Sequence, residues 1–220
     1  MSVSVQHQRG ITGLETAIIL IAFVVVASVF AFTVLTAGIF ATERSKETAY
    51  AGLEEATTTM VPRGSLIAIR GDVDGTDAVT KLMFTLGVTG DSESVDLTPP
   101  YVADDTGTDP DDSGLPHTVT VAYTDPSQHI IDVPWTARFL GGNNGDYILE
   151  GRELAEITVW LHQLDTGTGV YSLGTSADNF LDARLGINGS FTLTVDASRG
   201  ATVNLERVIP ARLTPTMDLR

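Results

Sequence analysis

The chain has no cysteine among its 220 residues. That absence excludes a disulfide framework, a zinc–thiolate centre and a thiol nucleophile. Positive charge is scarce as well. Thirteen Lys and Arg stand against 28 Asp and Glu, a formal net charge of −15. Such a surface repels phosphate backbones, so nucleic acid is excluded as a partner. It suits a protein that stays soluble at high local density or in high salt. Catalytic signatures are missing too: there is no GxSxG, no GxxxxGK[ST], and no GxGxxG between a strand and a helix. The four histidines, His7, His117, His129 and His162, show no metal-ligand spacing. The last three read as satisfied surface or edge residues of strands. No repeat of solenoid or propeller period occurs. The composition therefore points away from an enzyme.

What is present starts near the N-terminus. From Ala17 to Ala41 there is no Asp, Glu, Lys or Arg. Crossing a bilayer takes about 20 apolar residues, whereas the apolar core of a cleaved secretory signal has roughly 7–15. Glu15 stands at the head of this run. In an ordinary membrane anchor a charge there is costly unless it lies at headgroup level. Beyond Ala41, the stretch TERSKETAYAGLEEATTTM keeps an apolar stripe at Ala49, Leu53, Ala56 and Met60. Those spacings mark one helical face. Glu43, Arg44, Lys46 and Glu47 bring charge to the same stretch. Pro62, followed by Gly64, stops the pattern. The reading is one helix from Ile11 to Met60, about 75 Å long against a bilayer core of about 30 Å. Ala17, Ala22, Ala27, Ser28, Ala31, Ala37, Gly38 and Ala41 recur along it. Small residues of this kind let helices approach closely. A helix that is apolar all round must be buried all round, by lipid or by copies of itself.

Residues 63–220 read as β structure. Runs such as AVTKLMFTLGV, HTVTVAYTD, LAEITVWLHQL, SFTLTVD and ATVNLERVI alternate apolar and polar residues or are rich in Val, Ile and Thr. Clusters of Gly, Asp, Asn and Pro separate them. The expected fold class is α+β: a long N-terminal hydrophobic helix, then an immunoglobulin-like antiparallel β-sandwich of about seven strands. Composition alone also allows a barrel. Two loops gather acids. GDVDGTD holds Asp72, Asp74 and Asp77, and DDTGTDPDDSG holds Asp104, Asp105, Asp109, Asp111 and Asp112. Clustered carboxylates suit calcium, although neither loop has the EF-hand spacing, and acidic turns are common without a metal. No other cofactor is indicated. Asn188-Gly189-Ser190 is an N-x-[ST] sequon and thus a glycosylation candidate.

The first ten residues end in Arg9-Gly10, and Glu15 is the fifth residue after that glycine. This pattern, followed by a long apolar helix, resembles the class III signal peptide of type IV pilins and archaeal flagellins, the archaellins. The resemblance implies cleavage between Gly10 and Ile11 by a prepilin-type signal peptidase, with residues 1–10 as the leader. It implies that Glu15 assists assembly and that residues 11–62 pack in a filament core. The precursor would wait in the cell membrane before extraction. The segments GDYILEGRELAEITVWL and SFTLTVDASRGATVNLERVIP are similar to the C-terminal strands of archaellins. They favour an archaellin over an adhesive archaeal pilin, which shares the leader and helix. By this resemblance the chain is a structural subunit of an extracellular swimming filament, a homopolymer or a mixed polymer with other archaellins. Its partners would be the peptidase and a membrane motor and export platform. A membrane-anchored β-sandwich binding module is the alternative from a different class.

Overall fold

The computed structural model describes residues 8–57, 59–89, 94–175, 178–198 and 202–219. The chain divides into two compact units, Met1–Leu53 and Glu54–Arg220. One helix, Gln8–Thr57, makes up the described part of the first unit and reaches into the second. Its sequence has no proline, which removes the commonest cause of a kink. Val24, Val25 and Val26 are weak helix formers. Ala22 and Ala27, the strongest helix formers, flank them.

The helix stops at Thr57, short of the predicted Met60. Met60 lies instead in strand Thr59–Pro62, which pairs with Leu86–Thr89, and its side chain is buried. A free ladder edge and an apolar core outbid the 3.6-residue periodicity at this point.

The second unit is built from two main sheets. The larger runs in the order Trp135–Leu140, Leu154–Trp160, Thr76–Thr89, Leu66–Val73, Val170–Ser172, Gln163–Asp165, Thr108–Asp109. Thr59–Pro62 joins it beside Thr76–Thr89, and Thr216–Leu219 beside Leu66–Val73. The smaller sheet is Val203–Val208, Ser190–Asp196, Thr120–Thr124, His129–Ile130. Two short ribbons pair Ile148–Glu150 with Ser94–Asp96 and Tyr101–Val102 with Asp111–Asp112. Pairing is antiparallel except where Tyr171 meets Val73.

Alternation along the strands explains the core. Ser190–Asp196 buries Phe191, Leu193 and Val195 and turns the residues between them outward. One continuous cluster contains Leu82, Leu86, Trp135 and Ile157 of the larger sheet and Tyr123, Phe191, Leu193 and Leu205 of the smaller. Tyr123 and Phe191 stack at 6.0 Å. Among the described residues, no member of this core precedes Met60.

The sandwich has more strands than the seven expected. The additional ones are Thr59–Pro62, Trp135–Leu140 and Thr216–Leu219, together with strands of two or three residues in the polar loops, such as Val170–Ser172 and Thr108–Asp109. Trp135–Leu140 lies at the sheet edge, where the preceding Pro134 is tolerated. Its pattern is blurred by half-buried Thr136, Ala137, Phe139 and Leu140.

One glycine is required by close packing. A Cβ on Gly174 would lie 2.5 Å from the Phe180 Cβ and 2.6 Å from its carbonyl carbon and oxygen. The Gly174 N–H also donates to the Leu181 carbonyl at 2.7 Å. We predict that Gly174→Ala destabilises the sandwich by about 1–3 kcal/mol. That would lower its melting temperature by several degrees. Gly52→Ala, where nothing lies within 4 Å, should not. Equal melting temperatures for the two variants would show that the turn repacks.

Candidate assembly surface

From Leu14 to Phe40 the large apolar side chains of the helix are exposed, between 51% at Ile39 and 76% at Phe23. They lie on every face. The segment is long and apolar enough to cross a membrane, and none of it is buried within the chain. Covering one such side chain is worth about 1.5–3 kcal/mol. Covering all of them is worth on the order of 30 kcal/mol, several times the net stability of a typical domain.

The described Ser and Thr hydroxyls of this helix are already satisfied from within. Thr16 and Ser28 donate to the carbonyls of Gly13 and Val25, three residues back. Thr33, Thr36, Thr42, Ser45 and Thr48 donate to carbonyls four residues back, at 2.5–2.9 Å. A hydroxyl bonded to its own helix can enter lipid or a packed bundle without leaving an unpaired donor. In the sequence Ser28 stands out only as a small residue, and the others do not stand out. Their signal is a hydroxyl at helical spacing inside an apolar run.

Arg9, Gly10 and Ile11 fall in the first helical turn. Glu15 lies one turn further and is exposed, with no ion-pair partner among the described residues. The helix thus carries the proposed processing residues and Glu15 on one continuous element.

The candidate calcium residues separate into two arrangements. Asp74 and Gly75 are the two central residues of a hairpin turn, with φ of 48° and 79°. Both positive values mark the primed turn that Asp-Gly favours. The Asp74 carboxylate accepts the Leu173 N–H at 3.1 Å and lies 3.9 Å from the Arg184 guanidinium. Asp77 pairs with Arg70 at 3.1 Å, and Asp72 faces Asp77 across the ladder. The carboxylates of Asp74 and Asp77 thus already have partners in the sandwich. In the second loop, Asp104, Asp109 and Asp111 bring carboxylate oxygens within 4.8 Å of one another. Among the described residues they form the one cluster of metal-compatible spacing. Asp109 is buried and accepts the N–H groups of Asp104 and Asp105 at 3.3 and 3.2 Å. Asp104 caps its own turn through Thr106, whose hydroxyl and N–H hold that carboxyl below the usual range.

Asn188 is exposed in a tight turn with φ of 57°. The turn is pinned by Asn188 N–H to Ile209 O and Gly189 N–H to Gly186 O. This exposed turn directly precedes strand Ser190–Asp196.

The histidines differ from one another. His117 pairs with Asp132 at 2.9 Å, and His129 is exposed and bonds Thr124 at 2.7 Å. His162 corrects the reading of a satisfied surface or edge residue. It is fully buried, and among the described residues neither ring nitrogen makes a well-formed hydrogen bond, the Leu181 backbone giving only a weak one. It follows strand Leu154–Trp160 at a bend, where the inside–outside alternation ends and four successive residues turn inward. Burial, and then the positive charge of Arg184, pushes its pKa down to about 4; Asp74 opposes them.

Comparison with known proteins agrees with the helix and the sandwich together. The family model for archaeal-type flagellin matches residues 10–207. The chain is 33% identical to probable flagellin 1 of Archaeoglobus fulgidus over 214 residues, covering 97% of this chain and 96% of that one. It is 32% identical to probable flagellin 1 of Aeropyrum pernix, covering 94% and 95%. Among solved structures, the archaeal flagellum of Methanospirillum hungatei shares the fold with a TM-score of 0.60. That match has 22% identity and covers 94% of this chain and 98% of that one.

Proposed function

The chain belongs to the archaeal-type flagellin family, and from that premise we propose that it polymerises through its N-terminal helix into an extracellular filament used for swimming. It is a structural protein and not an enzyme. The observation that carries the mechanism is the helix itself: from Leu14 to Phe40 apolar on all faces, internally satisfied in its Ser and Thr hydroxyls, and exposed. Many copies packed side by side cover each helix with its neighbours. The acidic sandwich then faces solvent, where its charge keeps the polymer soluble.

Before assembly the same helix fits a bilayer, so the precursor waits in the cell membrane. A prepilin-type peptidase cuts after Gly10. Glu15 takes part in docking the freed N-terminus. A membrane motor and export platform act on the chain from outside its fold. Torque passes through the filament as many weak contacts, and no cofactor is needed for that role. The pattern at Arg9, Gly10 and Glu15 supports the processing steps, and the exposed turn at Asn188 supports a glycan there.

The test is N-terminal sequencing and intact mass of protein in filaments sheared from producing cells. A start at Ile11 is expected, with excess mass on the peptide containing Asn188. A chain beginning at Met1 and found only in membranes would overturn the proposal in favour of an anchored binding module.

A further inference from the structure

Just beyond the charge-free run, four charged side chains stand within five residues of the helix: Glu43, Arg44, Lys46 and Glu47. All four are exposed. The spacings Glu43–Lys46 and Arg44–Glu47 would allow pairing within one helix. Nevertheless, among the described residues the ion pairs all lie in the sandwich. Around the charges the hydroxyls of Thr36, Thr42, Ser45 and Thr48 are bonded to their own backbone. The four charged heads are left as the strongest polar groups without a partner in this part of the helix.

The setting invites a second helix. Ala37, Gly38, Ala41, Ala49, Ala51 and Gly52 surround the charges, and nothing lies within 4 Å of a Cβ added at Gly38 or Gly52. Two helices with such surfaces approach nearly to backbone contact. Long charged side chains then reach across to the neighbour.

The charges also balance. Two acids and two bases cancel here, in a chain whose net charge is −15. At 3.6 residues per turn, Glu43 and Glu47 lie about 40° apart on the helix surface. Arg44 flanks them by about 60° on one side and Lys46 by about 60° on the other. An acidic ridge with a base on each flank is complementary to itself, and an offset copy presents its base to this ridge.

Resting on the filament reading, we infer that residues 43–47 form a copy-to-copy ion-pair band, whose occupant is a second copy of this chain. The apolar run below it supplies attraction but little axial register, because one turn of Val, Ile and Phe resembles the next. Charges that are penalised when unpaired set that register.

The test uses full-length chains expressed in cells lacking their own copy, with sheared filament yield as the readout. Glu43→Lys/Glu47→Lys leaves four positive heads, and Arg44→Glu/Lys46→Glu leaves four negative ones. Each alone should lower filament yield about tenfold or more. Co-expression of the two should restore filaments containing both chains. Reversing all four charges in one chain should restore them as well. Glu43→Gln/Glu47→Gln, which adds no charge near the membrane, should also reduce yield. Wild-type yields from the double variants, or no rescue by co-expression and full reversal, would overturn the band. Absence of filaments from the unaltered chain would instead overturn the filament reading on which it rests.

Discussion

Val25→Asp should abolish filaments while leaving the sandwich folded. The position lies within the charge-free run, and Val25 is 55% exposed on its own chain. Any neighbour that covers it must also desolvate the new carboxylate. An unpaired ion transferred into an apolar setting is penalised by several kcal/mol, and the penalty recurs in every subunit. At the middle of a bilayer an aspartate is disfavoured by about 2.5–3.5 kcal/mol, so the waiting precursor is weakened as well. The sandwich escapes, because among the described residues its core draws nothing from positions before Met60. Val25→Leu keeps the apolar surface and should assemble normally. The checks are filament counts by electron microscopy, swimming on soft agar and the thermal melt of the sandwich. Wild-type filaments from Val25→Asp would remove the helix from the core of the polymer. Similar charged substitutions from Ile18 to Val29 should act alike.

The second large effect is on stability in acid. The buried His162 is held neutral, with a pKa pushed down to about 4 by burial and then by Arg184. In the unfolded chain it titrates near its ordinary value of about 6.5. Between these two values the unfolded chain binds a proton that the folded chain does not. Stability is therefore fully present above about pH 6.5 and falls as the pH drops toward 4. The loss reaches about 3 kcal/mol at the lower end. Protonation also places a cation beside the Arg184 guanidinium, which holds the Val73 carbonyl at 3.0 Å and lies near Asp74. The carboxylate Asp125 acts in a lower window. Burial raises its pKa, but hydrogen bonds from Ser127, Gln128 and Tyr123 outweigh that and hold it below the usual range.

His162→Leu should remove the decline between pH 6.5 and 4. At pH 7.5 it should be neutral or stabilising, because two buried nitrogens without well-formed hydrogen bonds disappear. Urea midpoints of the full-length chain in detergent, measured at pH 7.5, 6, 5 and 4.5, decide the matter. A variant that loses stability in parallel with the unaltered chain would assign the acid limb to other groups.

Several elements of this protein were legible before folding. The 25-residue charge-free run required a helix buried by something other than its own domain. Alternation in SFTLTVD and LAEITVW placed Phe191, Leu193, Ile157 and Val159 inside. The Asp74-Gly75 pair marked a turn. Such readings succeed because they depend on the period of the chain and the chemistry of near neighbours. Other features were hidden. Strand Trp135–Leu140 gains its place from the register with Leu154–Trp160, and Met60 leaves the helix for a ladder offered by Leu86–Thr89. The surroundings of His162 come from Thr80, Leu181 and Arg184, which are distant in the chain.

The sequence by itself therefore determined the solvent of each part: an all-apolar helix that must be shared, and an acidic sandwich that must face water. Local period and hydropathy suffice for that, since each residue's preference for water or oil does not depend on its distant neighbours. Only the tertiary structure decided where the helix yields to a strand, which acids meet cations, and which histidine is sealed away from water. Those outcomes turn on ladder register and on contacts between residues far apart in sequence, which no local pattern encodes.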